Sequence, residues 1–385
     1  MCLANYYIDN YGYQENILPK MHALQGLDVK ILASTETYVD NKSLGYVAPC
    51  DYVNEHGIPV TRIGYVKYLP HFFAKKWRAY QGVFKQIESF EPDIIFMHDV
   101  QFASVYSMAR YARKFPEVEI YADGHTDLIN SARGWVSKNI LHRIIYKHFA
   151  QKIEPYVTKF FGVTPLRSDF YRDYYGIPPE KIGLLVMGAD DSEFDFEKRF
   201  EIRREMRKRL GLAEDDFVLV TGGKIDERKK IHVLLKLLAA MKQPQVKLIL
   251  FGVPSDEMEE QITRLSKSEA VIDVGWISPT EVYDYLFASD LAVFPGTHSV
   301  LWEVAVGVGL PAIYRRWEGG EHVDVGGNCL FINDTVDDLE HALTKVISDT
   351  ALYKRMKKVA TDVGVIEFSY SEIAKRAIGQ STNNA

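Results

Sequence analysis

The chain has 385 residues, of which 47% are hydrophobic, and its formal net charge is −6 at pH 7. That length suits two α/β domains better than one, and an acidic chain without a binding-module motif does not fit a nucleic-acid partner. No apolar run approaches the roughly 20 residues that span a bilayer, and the N-terminal residues lack the basic-then-apolar pattern of a signal peptide. We therefore expect a cytoplasmic protein. Three widely spaced cysteines argue against a disulfide framework and a zinc site.

Strand and helix patterns alternate through the first half of the chain, which is typical of a parallel sheet covered by helices. The first predicted strand, residues 2–8, leads into a loop with one glycine, Gly12, and then a helix over 17–24. A glycine there lets a backbone approach a ligand closely, or simply lets a turn form. Two predicted strand ends carry a histidine, His98 and His125. His125 lies just past its strand, where a side chain can reach a ligand, although such a histidine is more often a local hydrogen-bonding residue. The other strands are predicted at 29–33, 60–65, 93–98, 118–122, 160–164 and 183–187.

Two segments of the first half, 62–85 and 133–152, combine basic with bulky apolar residues and contain no acidic residue. Helices of this composition can lie on an anionic membrane surface with their aromatic rings immersed. An ordinary amphipathic helix, with its apolar face on its own sheet and its basic face in solvent, explains the pattern equally well. The sequence therefore leaves peripheral membrane contact open.

A change in composition near Asp190 predicts a domain boundary. Residues 190–216 are strongly charged and predict a linker and then a helix that ends at Gly211. The second domain opens with a strand over 217–221 that runs into Gly222, Gly223 and four basic residues, a pattern that favours an anion site or, equally, a solvated basic turn. Further strands are predicted at 246–252, 271–274, 291–294 and 312–314, and helices at 231–241, 282–288, 339–347, 352–363 and 369–378.

The stretch 291–313 predicts a strand, a loop, a helix and another strand, so that its loop faces the carboxyl edge of the sheet, where open α/β sheets bind ligands. We predict Ser299 as the N-cap of this helix and Glu303, one turn further on, near the mouth of the site. A helix N-terminus favours a phosphate, and a carboxylate beside it can accept two ribose hydroxyls. A glutamate in a first turn more often only complements the helix dipole.

Taken together, the motifs of the second domain resemble the family 4 retaining glycosyltransferases, which have the GT-B fold. The matching motifs are Gly223-Lys224-Ile225 with Arg228-Lys229, Val274-Gly275-Trp276-Ile277, the helix 301–311 with its Glu-Ala-x-Ala-x-Gly-x-Pro pattern, and Gly319-Gly320. In the first domain, residues 11–16, 26–29 and 187–190 are similar to the family's opening loop, its next strand and its hinge. The resemblance covers nearly the whole chain, and within the family it points to enzymes of bacterial capsule and lipopolysaccharide assembly.

This resemblance implies an α/β protein with two Rossmann-like parallel-sheet domains facing a cleft. Residues 1–189 would form the acceptor-side domain, 190–365 the nucleotide-sugar domain, and 366–385 a C-terminal helix and tail that returns to the first domain. The implied reaction moves a sugar, with retention of configuration, from a nucleoside-diphosphate sugar, more often a UDP-sugar, to a saccharide or lipid-linked saccharide acceptor in surface polysaccharide assembly. No cofactor and no metal would be needed, because the nucleotide sugar is a substrate.

The resemblance also implies roles for particular residues. His125 would contact the sugar and steady its developing charge, and Lys224 and Lys229 would take the charge of the leaving diphosphate. Glu303 would hold the ribose. The remaining donor-binding residues would be Gly12, Gly223, Trp276, Ile277, His298, Ser299 and Val300.

The sequence departs from the family pattern at a position that bears on mechanism. Family members carry two glutamates with seven residues between them, whereas Pro295 stands at that distance before Glu303, and Thr297, His298 and Ser299 occupy the loop. Two alternative functions therefore stay open. One is a non-catalytic GT-B subunit that binds a nucleotide or a partner, and the other is a hydrolysing sugar-nucleotide epimerase on the same fold.

Overall fold

The computed structural model describes residues 1–4, 7–39, 43–241 and 243–380. The chain forms two compact units. Unit 1 comprises Met1–Val186 together with Ile373–Ala385, and unit 2 comprises Met187–Glu372. Each unit is built around its own largely parallel sheet.

Unit 1 contains an eight-stranded sheet and a separate hairpin. Its strands are β1 (Cys2–Ala4), β2 (Ile31–Ser34), β3 (Glu36–Tyr38), β4 (Leu44–Tyr46), β5 (Cys50–Val53), β6 (Pro59–Ile63), β7 (Ile94–His98), β8 (Glu119–Gly124), β9 (Lys159–Gly162) and β10 (Ile182–Leu184). The sheet order is β10-β9-β8-β7-β1-β2-β6-β5, and β3 pairs with β4 in the hairpin. All neighbours in the sheet are parallel except β5 and β6. The segments that follow β1, β7 and β8 therefore leave the sheet side by side.

The expected alternation of strand and helix is wrong between β2 and β6, where the chain forms three short strands. The last of these, β5, makes an antiparallel hairpin with β6. Its turn is held by the Asn54 side chain, whose Oδ1 accepts hydrogen bonds from the backbone N–H groups of His56 and Ile58. The first strand was also predicted too long, since β1 ends at Ala4; residues 5 and 6 lie outside the described residues, and Tyr7 and Ile8 are not in a strand.

The helices of unit 1 cover its sheet. They are α1 (Gln14–Leu24), α2 (His71–Lys76), α3 (Val83–Phe90), α4 (Val105–Lys114), α5 (Lys147–Ile153) and α6 (Pro165–Phe170). Two segments have the wider π-helical turn, Ser137–Tyr146, which continues directly into α5, and Tyr171–Tyr175. Among the described residues, no helix is both long enough and apolar enough to cross a membrane.

Unit 2 contains a six-stranded parallel sheet with the order β13-β12-β11-β14-β15-β16. Its strands are β11 (Phe217–Ile225), β12 (Val246–Pro254), β13 (Val271–Gly275), β14 (Leu291–Phe294), β15 (Ala312–Arg315) and β16 (Cys329–Ile332). Its helices are α7 (Arg199–Arg209), α8 (Ile231–Met241), α9 (Glu259–Leu265), α10 (Val282–Ala288), α11 (Leu301–Gly307), α12 (Val336–Ser348), α13 (Thr350–Val359) and α14 (Val365–Glu367). The last helix, α15 (Tyr370–Ala377), begins in unit 2 and ends in unit 1.

Strand β11 is four residues longer than predicted, so Gly222, Gly223 and Lys224 lie within the strand and not in a loop after it. The physical reason is that pairing with β12 continues as far as Ile225 and Pro254. At Gly252, a Cβ would lie 1.9 Å from the carbonyl oxygen of Gly223. Glycine is required there to let the two strand ends approach.

The C-terminal segment returns to unit 1 as predicted, but from Ile373 and not from residue 366, since residues 366–372 belong to unit 2. Ile373, Ala374 and Ala377 are fully buried. His22 Nε2 lies 2.9 Å from the carbonyl oxygen of Ala374. Unit 1 is therefore assembled from two stretches of chain that are far apart in sequence.

Candidate active site

In unit 2, the carboxyl ends of β11 and β14 stand side by side because the two strands are neighbours in the sheet. The Thr297 N–H donates to the carbonyl oxygen of Arg228 over 3.0 Å. Lys229 Nζ donates to the carbonyl oxygens of Thr297 and His298 at 3.0 and 2.8 Å. A Cβ at Gly296 would lie 2.3 Å from the Arg228 carbonyl oxygen. The two loops therefore form one closely packed edge, which Lys229 fastens.

Glu303 lies beneath this edge, on the first turn of α11, and its side chain has no exposed surface. Its Oε1 accepts hydrogen bonds from His298 Nε2 at 2.7 Å and from His322 Nε2 at 3.0 Å. Burial alone would raise the pKa of Glu303, but the two histidines outweigh burial and lower it to about 2. Glu303 is therefore a buried carboxylate, and our prediction that it lies near the mouth of the site is wrong.

The second oxygen of Glu303, Oε2, is buried and accepts no hydrogen bond in the part of the chain that the structure describes. Such an oxygen is costly unless something can be bound there. His298 stands between this carboxylate and solvent, with 18% of its side chain exposed. A ligand hydroxyl that reaches Glu303 must therefore pass His298.

His322 is a residue of this group that the sequence did not single out. It lies in a short 3₁₀ turn after β15, and only 2% of its side chain is exposed. Its Nδ1 is 3.2 Å from the carbonyl oxygen of Gly319. The glycine pair Gly319-Gly320, which the family resemblance had matched, ends two residues before His322 and could have drawn attention to it.

Ser299 does not cap α11 as predicted. The helix begins at Leu301 with Val300 as its N-cap and without a side-chain capping bond. The Ser299 hydroxyl is 3.5 Å from the Leu301 N–H, whereas its carbonyl oxygen accepts from the Trp302 N–H at 2.9 Å. Ser299 therefore contributes to the first turn of α11 through its backbone carbonyl oxygen and not through its hydroxyl. Lys229 holds the loop before the helix by donating to the carbonyl oxygens of Thr297 and His298.

The other predicted donor-binding residues of unit 2 lie on the same sheet edge. Gly223 has a φ of 97°, and a Cβ there would approach Leu301 Cδ1 to 3.0 Å. Lys224 is exposed, and among the described residues its ammonium forms no ion pair. Trp276, 70% exposed, and the half-buried Ile277 follow β13, which β12 separates from β11.

A second polar group lies in unit 1, after β7 and β8. Asp123 is fully buried, and its Oδ2 is 2.8 Å from His98 Nδ1 and 3.4 Å from His125 Nε2. Burial opposes the charge on Asp123, but the two histidines hold its pKa below the usual range. Burial likewise opposes a charge on His125, and the neighbouring Asp123 carboxylate outweighs it and raises the pKa of His125. Sequence patterns singled out both histidines but not the aspartate between them.

The helix start after β1 completes the unit 1 group. The carboxylate of Glu15 and the ring nitrogens of His98 and His125 lie within 4.8 Å of one another. Gly12 lies in the exposed loop before this helix, and a Cβ there would meet no atom within 4 Å. Gly12 and His125 therefore flank one edge of unit 1, while the other predicted site residues belong to unit 2.

Each unit thus presents two histidines and a glutamate whose donor atoms lie within 4.8 Å of one another, in unit 2 His298, Glu303 and His322. Two histidines and a carboxylate are a ligand set that zinc accepts. In unit 2 the Nε2 atoms of both histidines are already directed at Glu303 Oε1. Oε1 therefore already accepts two hydrogen bonds without a metal, and the predicted independence of metal stays a prediction.

Two Rossmann-like parallel sheets with polar groups at their carboxyl edges define the GT-B glycosyltransferase fold, as the sequence resemblance predicted. The family "Glycosyl transferases group 1" matches residues 202–363, which lie in unit 2. This match supports glycosyltransferase activity.

Similar proteins extend the match beyond unit 2. An uncharacterized glycosyltransferase of Methanocaldococcus jannaschii is 20% identical over 354 residues, which are 88% of each chain. The alpha-monoglucosyldiacylglycerol synthase of Streptococcus pneumoniae is 26% identical over 239 residues, 59% of this chain and 53% of the synthase. The crystal structure of Anabaena HepE in complex with UDP superposes with a TM-score of 0.66 at 17% identity over 98% of both chains.

Proposed function

We propose that this chain is a retaining, metal-independent glycosyltransferase that moves a sugar from a UDP-sugar to a saccharide or lipid-linked saccharide acceptor in surface polysaccharide or glycolipid assembly. The observation that carries the proposal is the sheet edge of unit 2, where the exposed Lys224 lies beside the loop that Lys229 fastens above Glu303. This edge lies within the residues that match the glycosyltransferase family. The solved relative with bound UDP supports UDP as the nucleotide.

In the proposed reaction the bond between the anomeric carbon and the diphosphate oxygen breaks, and the oxygen of an acceptor hydroxyl bonds to the same face of the sugar. The proton of this hydroxyl passes to the leaving diphosphate. Negative charge grows on the diphosphate as it leaves, so a cation placed beside it stabilises the transition state. Lys224 is free to take this role because its ammonium reaches solvent. Lys229 acts mainly by holding the loop, since its ammonium already donates to two carbonyl oxygens.

We assign the ribose hydroxyls to the His298–Glu303 pair. Glu303 Oε2 has acceptor capacity that no described residue uses, and the partly exposed His298 ring contacts the other oxygen, Oε1, at 2.7 Å. A ribose hydroxyl that displaces this ring would gain a charged acceptor, and such bonds are stronger than neutral ones. His125, whose charge Asp123 supports, is assigned to the sugar.

The test is a thermal-shift panel with UDP, GDP, ADP and CMP at millimolar concentration. A ligand that binds only the folded state raises the melting temperature by mass action. We expect a rise with UDP, a smaller rise in Lys224→Ala, and an unchanged rise in Lys236→Ala, which removes an exposed lysine of α8. No rise with any nucleoside diphosphate would overturn the proposal and favour the non-catalytic, partner-binding subunit.

Retention and metal independence have their own measurements. Once a donor and acceptor pair is found, NMR of the product should show the anomeric configuration of the donor sugar, and an inverted product would refute retention. A chelator should leave the transfer rate unchanged. A rate that falls with chelator and returns with zinc would reassign the two histidine–glutamate groups to metal binding.

We also propose peripheral contact of residues 62–85 and 133–152 with an anionic membrane. Exposed aromatic side chains in both segments support this, including Phe72 at 65% and Trp135 at 71% exposure. Arg62 is not part of the surface, because it is buried and pairs with Asp9 at 3.1 Å. Sedimentation with anionic liposomes at low salt is the measurement, and protein that stays in the supernatant would refute the contact.

A hydrolysing sugar-nucleotide epimerase is the second candidate, and the unit 1 group favours it. Such an enzyme needs acidic groups that converge on the sugar, and here Asp123 is flanked by Asp99, whose N–H lies 3.3 Å from Asp123 Oδ1. Burial raises the pKa of Asp99, which suits a carboxyl that exchanges a proton. Turnover of UDP-GlcNAc without any acceptor would establish this function, and turnover only with an acceptor would establish the transferase.

A further inference from the structure

Unit 1 contains a cavity of about 670 Å³, away from the polar group around Asp123. It lies among the segment that follows β6, the start of α4, and the continuous helix formed by Ser137–Tyr146 and α5. This volume falls within the range of about 300–1,000 Å³ in which proteins bind small ligands. Large apolar and aromatic side chains dominate its wall: Tyr68, Trp77, Tyr80, Tyr106, Ile144 and Phe149.

The wall runs from buried to exposed side chains without becoming polar. Tyr80 and Phe149 are 9% and 6% exposed, whereas Ile144 and Tyr68 are 63% and 81% exposed. Apolar side chains left open to solvent in this way are unfavourable unless something covers them. The cavity is thus an apolar pocket with an apolar mouth.

Some of the polar groups of the wall already have hydrogen-bond partners. Ser104 Oγ accepts from the Tyr80 N–H at 3.1 Å, and His148 Nε2 lies 2.9 Å from the Tyr106 hydroxyl. A saccharide would need free donors and acceptors around all its hydroxyls. The pocket therefore suits a hydrocarbon better than a sugar.

The charge around the pocket has one sign. Its wall is built from both segments that the sequence marked as basic and free of acidic residues, 62–85 and 133–152. Lys67 and Lys76 are exposed in the first segment and Arg143 in the second. Lys75 of the first segment forms an ion pair with Glu36 at 3.1 Å. Cations beside an apolar mouth complement a ligand that has a hydrocarbon chain and an anionic head.

We propose that this cavity binds the hydrocarbon chain of an anionic, lipid-linked acceptor, with the phosphate of its head group at Lys67 and Lys76. Naming the ligand as an acceptor rests on the proposed transferase function. Binding of the hydrocarbon chain in the cavity does not depend on catalysis and is measured separately.

The probe is dibromostearoyl lysophosphatidylglycerol, kept below its critical micelle concentration and added to the full-length protein. Bromine quenches tryptophan fluorescence at short range, and Trp77 is part of the cavity wall. We expect saturable quenching that is largely lost in Trp77→Phe. Quenching that does not saturate, or that is the same in Trp77→Phe, would overturn the proposal.

Two variants alter the pocket by different means. Ser107→Phe fills the pocket from the α4 side, and Ile144→Asp places a charge at the exposed mouth, where folding should tolerate it. Each buried methylene contributes about a fourfold factor to binding, so either change should weaken binding at least about tenfold. Ser89→Phe adds the same ring at an exposed position of α3, and should leave probe binding unchanged. Unchanged binding in Ile144→Asp would refute the pocket even if Ser107→Phe does not fold.

The head group is tested with the zwitterionic choline analogue of the same probe. At low salt it should bind at least about tenfold more weakly than the anionic probe, and the difference should shrink in a Lys67→Glu, Lys76→Glu double variant. Equal binding of the two probes would overturn the anionic assignment.

The UDP thermal shift separates this inference from the proposed function. If UDP still raises the melting temperature but no probe is bound, the lipid assignment fails and the transferase proposal stands. If the probe binds as expected but no nucleotide does, the cavity assignment stands and the transferase proposal fails.

Discussion

His322 lies with its Nε2 3.0 Å from Oε1 of Glu303, while its Nδ1 faces the carbonyl oxygen of Gly319 at 3.2 Å. Both ring nitrogens of His322 thus face oxygen atoms. The two contacts fix the orientation of the ring, and Nε2 faces a buried carboxylate that solvent does not reach.

Replacing His322 by alanine should destabilise unit 2 by about 2 kcal/mol, because a charged hydrogen bond to a buried carboxylate is lost while His298 remains. Calorimetric unfolding measures the change. His341→Ala, which removes an exposed histidine of α12, is the matched control and should be neutral. Equal melting temperatures for the two variants would contradict the role that we assign to His322.

Glu303→Gln should show a stability defect that depends on pH. The pKa of Glu303 is lowered from 4.5 to about 2 in the folded protein. The unfolded chain therefore takes up this proton at the higher pH, and the contribution of Glu303 is fully present above pH 4.5 and is lost as the pH falls towards 2. The variant should be less stable than the wild type by on the order of 3 kcal/mol near neutral pH.

The measurement is the free energy of unfolding of both proteins over that pH range. The gap should narrow as the pH falls from 4.5 towards 2. Glu340→Gln, at an exposed position of α12, should show no gap at any pH. A gap for Glu303→Gln that does not change with pH would mean that the charge on Glu303 does not stabilise the fold.

Asp123→Asn should lower the pKa of His125, because the carboxylate that raises it is removed and burial then dominates. NMR titration of the His125 ring measures this directly. In the wild type the pair stabilises unit 1 fully between pH 3.8 and 6.5, the ordinary pKa values of Asp and His. Its contribution is lost as the pH rises through the raised His125 pKa. Asp123→Asn should remove this loss at high pH, and an unshifted His125 titration would refute the coupling.

Lys224→Ala and Lys229→Ala should separate phosphate binding from loop anchoring. Lys224 is exposed, so its removal should lower the transfer rate roughly a hundredfold while the melting temperature stays unchanged. Lys229 donates hydrogen bonds to two carbonyl oxygens, so its removal should lower both the transfer rate and the melting temperature. A Lys224→Ala enzyme with more than about a third of the wild-type rate would remove Lys224 from the site.

Gly296→Ala should damage the site through packing alone. A Cβ at Gly296 would lie 2.3 Å from the carbonyl oxygen of Arg228, and backbone atoms of this kind cannot move aside cheaply. We expect a lower melting temperature and weaker UDP binding. Gly134→Ala, where a Cβ would meet nothing within 4 Å, should change neither. Wild-type behaviour of Gly296→Ala would show that the two loops separate easily.

The sequence predicted most of the fold because hydrophobic periodicity is a local signal. Strand β14 and helices α8 and α10 begin and end where predicted. A local capping box precedes α10, with the Ser278 N–H donating to Glu281 Oε2 at 2.9 Å and the Glu281 N–H to Ser278 Oγ at 3.3 Å. What failed depended on pairing partners, such as the length of β11 and the hairpin of β5 with β6.

The site was less predictable because it depends on which loops meet. His298 and Glu303 are close in sequence, but burial of the pair beneath His322 depends on β15 lying next to β14. Lys224 lies within β11 and is exposed, without an ion pair among the described residues, whereas Lys229 lies in the turn after β11 and is anchored. The sequence pattern treated the two lysines alike. The sequence identified each basic segment of unit 1 by its composition. It could not predict the cavity between them, because the cavity depends on how the two segments pack against α4.

The division of unit 1 between Met1–Val186 and Ile373–Ala385 has a consequence for biosynthesis. The 186 residues of unit 2 are continuous in the chain and can fold while translation proceeds. Unit 1 is synthesised first but stays incomplete until residues 373–378 are made, because its His22 meets the Ala374 carbonyl oxygen and Ile373, Ala374 and Ala377 are buried. Unit 1 is therefore synthesised first but completed last. Until residues 373–378 are made, the surface of unit 1 that they cover is open, and a chaperone would need to shield it.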